Sequence, residues 1–228
     1  MTNKEFFDKI IITEEEKEKA SFYLKYRGIY EHEHVREYLE GFKKDKVTYS
    51  EIATTFRYDK KIRRILFKYI GFVEEYIRAI ICENFQDLET IKTNKQIFEK
   101  LKKYDDLYTA LNEILFSELI EIMNKNIVNI KEHFKNHSKK NMKALCTLRN
   151  KVFHNVFILG YINYDECDVD GVKSSSFRDN VLNLRQLLPF DEMKNNFDAE
   201  IKEAKQPNEN KYESQVEWSL LNEITLEI

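Results

Sequence analysis

Glycine and proline are scarce in this sequence, with 5 and 2 among 228 residues. So few chain breakers favour long, uninterrupted elements. Charged residues make up 34% of the chain and follow a mostly helical rhythm, which predicts an all-α protein. The length suits one sizeable core, or a domain with an appendage. Cysteine is sparse as well: Cys82, Cys146 and Cys167 are odd in number and far apart, with no C-x-x-C and no Cys/His ligand spacing. They read as free thiols in a reducing cytoplasm rather than as a disulfide framework. Long apolar runs are missing, because the stretch 156–162 is far shorter than the roughly 20 residues that span a bilayer. The chain opens on Met1-Thr2-Asn3-Lys4-Glu5 and not on a signal-peptide pattern, so a cytoplasmic protein without membrane contact is expected. No carboxylate cluster or Cys/His set stands ready for a catalytic metal, so neither a metal nor any other cofactor is expected.

Helix signals are frequent. Thr13-Glu14-Glu15-Glu16 is a capping box that predicts a helix to about Arg27-Gly28. A second helix fits 32–43, and the box Thr48-Tyr49-Ser50-Glu51 predicts a short one towards Tyr58. The clearest rhythm runs from Lys60 to Asn84, where Ile62, Ile65, Leu66, Tyr69, Val73, Tyr76, Ile77 and Ile80 recur at i, i+3 and i+4. Further helices are predicted over 94–103, 108–125 and 127–136, and one from Ser138 to near Gly160. Residues 161–175 read as an acidic loop. Asp168-Val169-Asp170-Gly171 is similar to part of a calcium loop, but Phe177 stands where that loop needs Glu. Ser176 predicts a helix ending at Pro189, another fits 191–204, and Trp218, Leu220, Leu221 and Ile224 predict a last helix after Pro207.

Net charge is −3, which excludes a globally basic nucleic-acid binder but leaves a local basic face open. Residues 125–151 hold eight basic residues and one acid, whereas 161–228 hold seven basic and fifteen acidic residues. This asymmetry suits a polyanion on one face, with Lys139, Lys140, Lys143 and Lys151 as candidate RNA contacts. A solvated helix face balanced by the acidic tail accounts for it equally.

The basic stretch ends on Leu148-Arg149-Asn150-Lys151-Val152-Phe153-His154-Asn155. Arg149 interrupts the apolar stripe Met142, Leu145, Cys146, Val152, Phe153 and Val156, so it must be paired or face a second surface. Asn150 and His154 are i, i+4 and share a face. Arg149 and His154 lie about 140° apart on an ideal helix; two copies of the helix across an interface could set the arginine of one beside the histidine of the other. Histidine can exchange a proton with a ribose 2′-hydroxyl or a leaving 5′-oxygen. Arginine binds phosphate and stabilises charge building up at phosphorus, and asparagine can orient the imidazole. The residue types therefore permit metal-free RNA cleavage. The spacing alone is common, since Arg27 and His32 also read R-x4-H. His133 and His137 are i, i+4 as well, without further ligands for zinc.

Arg149-Asn150-x3-His154 resembles the R-N-x3-H motif of the HEPN superfamily of helical ribonucleases. The segment Phe56-Arg57-Tyr58-Asp59-Lys60-Lys61-Ile62-Arg63-Arg64-Ile65-Leu66 is similar to the aromatic-Asp-basic-x-Leu-Arg-x-Leu-Leu stretch of the Abi-like abortive-infection proteins (the AbiD/AbiF type), and Val73-Glu74-Glu75-Tyr76-Ile77-Arg78 to the stretch that follows it. The resemblance covers about residues 20–160. Phe153 and Asn155 stand where that family usually has alanine and often a second histidine.

The resemblance implies a HEPN-like helical bundle over 1–160, with 161–228 as an acidic loop and C-terminal helices packed on it. It also implies an antiviral endoribonuclease that works as a homodimer with a composite site. His154 would be the acid/base, Arg149 the transition-state stabiliser and Asn150 the orienting group. The alternative is a non-catalytic module that holds a dedicated small RNA or a partner protein in phage defence.

Overall fold

The computed structural model describes residues 1–42, 45–134, 138–205 and 226–228. Its longest element is helix α4 (Tyr49–Asn84), 36 residues long, or about 54 Å at 1.5 Å per residue. Thr48 caps it as predicted, its hydroxyl accepting from the Glu51 amide. The break predicted near Tyr58 is absent. No glycine or proline interrupts the helix before Gly71, and Phe56, Tyr58, Asp59 and Ile62 are all buried, so one apolar face runs through the predicted boundary.

Most of the other helices pack on α4. Before it come α1 (Asn3–Phe7), α2 (Glu14–Arg27) and α3 (Ile29–Glu40), and after it α5 (Lys95–Leu101), α6 (Leu107–Asn112), α7 (Phe116–Ile130) and α8 (Lys139–Phe153). Two short strands, β1 (Cys167–Val169) and β2 (Val172–Ser174), precede α9 (Phe177–Leu187) and α10 (Asp191–Ala204). Helices α3, α6, α7, α8, α9 and α10 all touch α4. Its Ile62, Leu66, Ile70 and Ile77 belong to one apolar cluster with Leu119, Leu145, Leu148, Val181, Leu184 and Phe197. Each such side chain contributes about 1.5–3 kcal/mol on leaving water. The fold is all-α, the hairpin being the only sheet among the described residues.

Three predicted boundaries need correction. The helix expected over 108–125 is two: Asp106 caps α6 through the Thr109 amide at 2.8 Å, and Leu115 is extended before α7, its N–H donating to Glu118 at 3.0 Å. Helix α7 runs on through the first four positions of the helix expected over 127–136 and ends at Ile130, where a single 3-10 turn, Lys131–His133, follows. Helix α8 starts at Ser138 as predicted but stops at Phe153 rather than near Gly160. Asn155 has φ 55°, and the Asn155 and Val156 amides return to the Val152 and Lys151 carbonyls at 3.2 and 3.1 Å. That is a Schellman closure with asparagine in the left-handed position.

The predicted acidic loop contains a β-hairpin. Val169 pairs with Val172, and the intervening Asp170 and Gly171 have φ of 51° and 82°, the Asp-Gly type I′ turn that matches strand twist. Gly171→Ala should therefore cost about 1–2 kcal/mol, the left-handed penalty for an L-residue, read from chemical denaturation. Helices α9 and α10 lie where the sequence places them. The helix expected after Pro207 lies outside the described residues. Leu226 is buried, and its N–H donates to the Tyr58 hydroxyl at 3.0 Å. Among the described residues no helix is long and apolar enough to cross a membrane.

Candidate active site at the end of helix α8

Helix α8 buries Met142, Leu145, Leu148 and Val152, and its opposite side turns two of the motif residues to solvent. Asn150 and His154 are exposed, and neither side chain hydrogen-bonds to a described residue. His154 is the C-cap of α8, with φ −84° and ψ 7°, and its amide donates to the Asn150 carbonyl at 3.0 Å. It thus lies at the end of the helix.

Arg149 faces a second surface, as its place in the apolar stripe requires. Its guanidinium lies 4.0 Å from the Phe153 ring centroid and 6.0 Å from that of Phe116. Its Nε is buried without a hydrogen bond, and its remaining N–H groups have no partner among the described residues. A flat cation held on a ring with its donors unfilled suits a bidentate anion. Phe153 in turn stacks on Phe67 of α4, centroids 4.3 Å apart at 26°.

Two residues of the Phe56 block hold the chain just beyond His154. Asp59 is fully buried. Its Oδ1 accepts from the amides of Ile158 and Leu159 at 2.8 and 3.3 Å, and its Oδ2 accepts from Arg63 Nε at 2.6 Å. Arg63 Nη1 reaches on to the Asn155 side-chain oxygen at 2.9 Å. Burial pushes the Asp59 carboxyl above its ordinary range, against the pull of Arg63 and the two amides. The Tyr164 hydroxyl donates to the Ile158 carbonyl at 2.9 Å. His154 is therefore fixed from both sides, by the end of α8 and by a clamped loop.

The lysines predicted to meet RNA do not form a uniform basic face. Lys140 pairs with Glu166 at 2.6 Å and Lys143 with Asp165 at 2.7 Å. The Lys143 contact, with Thr147, holds the Asp165 carboxyl below its usual range. Lys151 lies 4.0 Å from the Tyr161 ring centroid, and Lys139 is exposed. The acidic segment thus lies along the basic helix instead of forming a separate face.

The competing R-x4-H match is structural. His32 is buried and its Nδ1 bonds the Gly28 carbonyl at 2.9 Å; burial pushes its pKa down. Glu74 and Arg78 pair at 2.5 Å, and Arg78 also donates to the Leu111 carbonyl, tying α4 to α6. Burial raises the Cys146 and Cys167 thiols to about 11, which leaves them poor nucleophiles at neutral pH. His133 Nδ1 lies 3.4 Å from the Tyr76 hydroxyl, while His137 is outside the described residues. No group of three or more His, Cys, Asp or Glu among the described residues could hold a metal. The Asp59–Arg63 pair is legible as i, i+4, but its grip on residues 155–159 is not visible in one sequence, and Phe67 carries no sequence signal. Comparison with protein-family models, curated proteins and solved structures gives no match for this chain.

Proposed function

We propose that the chain is a HEPN-like endoribonuclease of the abortive-infection type, cleaving RNA without a metal and acting as a homodimer. The observation that supports this best is that Arg149, Asn150 and His154 lie on the last turns of one helix, Asn150 and His154 exposed and Arg149 half-buried on the Phe153 ring with no hydrogen-bond partner among the described residues. The clamp from Asp59 and Arg63 adds support, because it ties the second stretch behind the resemblance to the first. In the reaction, a ribose 2′-oxygen attacks phosphorus and its proton passes to a base. The P–O5′ bond breaks, and the 5′-oxygen leaves with a proton from an acid. His154 serves as that acid/base, Arg149 neutralises charge on the non-bridging oxygens, and Asn150 steadies the bound phosphate or the imidazole.

The reading is tested by product chemistry. Incubated with RNA in EDTA, the protein should give 2′,3′-cyclic phosphate and 5′-hydroxyl ends at an undiminished rate. Products bearing a 5′-phosphate, or a rate abolished by the chelator, would rule it out. A non-catalytic role, holding a dedicated small RNA or a protein, is favoured by a different observation: no hydrogen bond from a described residue orients the His154 ring. RNA that copurifies intact, is protected by the protein and stays uncut would decide for that role.

A further inference from the structure

We infer that the solvent-facing stripe of α4 formed by Lys60, Arg64 and Phe67 is the track along which single-stranded RNA approaches the α8 site, with the Phe67 ring stacking on a base; this rests on the ribonuclease reading for its ligand. The three residues are i, i+4 and i+7, hence one face of the helix. All three are exposed, Phe67 by 52%. Neither cation has an ion-pair partner among the described residues, in contrast to Lys140 and Lys143. The Lys60 ammonium instead meets like charge: partial desolvation, then Arg64, Arg27 and Arg63, push its pKa down. In a chain of net charge −3, such a local excess of cations attracts a polyanion.

Phe67 joins this stripe to the motif. Its ring is stacked on Phe153, which carries the Arg149 guanidinium, so a base laid on Phe67 would extend an existing stack. Stacking accepts any base, because every base has a π-face. One turn earlier, Arg63 reaches Asn155, the neighbour of His154. The stripe also has an end. A Cβ built at Gly71, one turn past Phe67, would meet nothing within 4 Å, and the next turn carries the exposed Glu75, which repels phosphate. A strand following Lys60 and Arg64 therefore leaves α4 at Phe67, beside the end of α8. A second copy of the chain is a poorer occupant, because a two-fold contact centred here sets these cations against their own duplicates.

The test is fluorescence anisotropy with a short labelled oligouridylate on the full chain in a His154→Ala background, where the probe stays uncut. Phe67→Ala should weaken binding about tenfold. Phe67→Leu, which keeps the apolar contact but removes the π-face, should do the same with an unchanged melting curve. Lys60→Gln with Arg64→Gln should flatten the slope of log affinity against log salt by about 1.4, at about 0.7 per phosphate on a single strand. If these variants bind as well as the parent while Lys139→Gln with Lys140→Gln and Lys143→Gln loses binding, the RNA follows α8 and this track is wrong, with the ribonuclease reading intact. If Phe67→Ala instead dissociates a dimer in sedimentation and spares RNA affinity, Phe67 is a subunit contact. If the parent binds no oligonucleotide at all, the reading beneath the track fails with it.

Discussion

His154→Ala should lower RNA cleavage about 10²–10⁴-fold, the usual share of a general acid/base, and leave stability within about 0.5 kcal/mol. The second half follows from geometry. His154 is exposed, its side chain bonds to no described residue, and its place in the fold depends on backbone atoms that alanine retains. A variant that melts like the parent, binds RNA and cuts nothing would assign the loss to chemistry. Equal cleavage by both proteins, on RNA ends mapped in parallel, would remove the imidazole from the mechanism. Should the chain act in phage defence, protection ought to vanish in step with cleavage.

The largest stability effect is expected at Asp59. Asp59→Ala strands the Arg63 guanidinium, which has only 14% of its side chain exposed, and removes the acceptor for the Ile158 and Leu159 amides. Breaking a buried pair by deleting one partner costs about 3–5 kcal/mol. For a chain of this length that corresponds to a melting midpoint lower by roughly 6–20 °C. Asp59→Asn retains an oxygen for the amides but turns an N–H donor towards Arg63, so it should recover part of the loss and no more. A midpoint within a degree or two of the parent would mean that water replaces the clamp and that residues 155–159 hold their course unaided. Cleavage should fall with stability here, because the clamped loop begins at the residue after His154.

Much of the fold is legible from local chemistry. Thr13, Thr48, Asn94, Ser138 and Ser176 each cap the helix their sequence announces, because a cap is settled within four residues. What escapes is decided elsewhere in the chain. The junction at Tyr58–Lys60 becomes continuous helix because Asp59 and Tyr58 have partners about a hundred and more positions away. Two signals were present but easily passed over: Asp170-Gly171, a hairpin turn whose acidic setting looks like a metal loop, and Asn155, whose tolerance of positive φ ends α8 before Gly160. At the site, residue types and spacing single out Arg149, Asn150 and His154, while the Phe67–Phe153–Arg149 stack depends on how α4 meets α8. The basic stretch does not reveal by itself that Asp165 and Glu166 fold back over Lys143 and Lys140.

Helix α4 also sets the order of events during synthesis. When Asn84 leaves the ribosome, the long helix is complete but α7 to α10, which cover its apolar face, have not emerged. The last of them ends at Ala204; at about 5–20 residues per second the face waits roughly 6–24 s for cover. Over that interval the nascent chain offers chaperones a single extended greasy ridge. The bond from Arg63 to Asn155 spans 92 positions, so the site cannot assemble until its far half emerges. A site built this way stays incomplete while most of its own chain is still being translated.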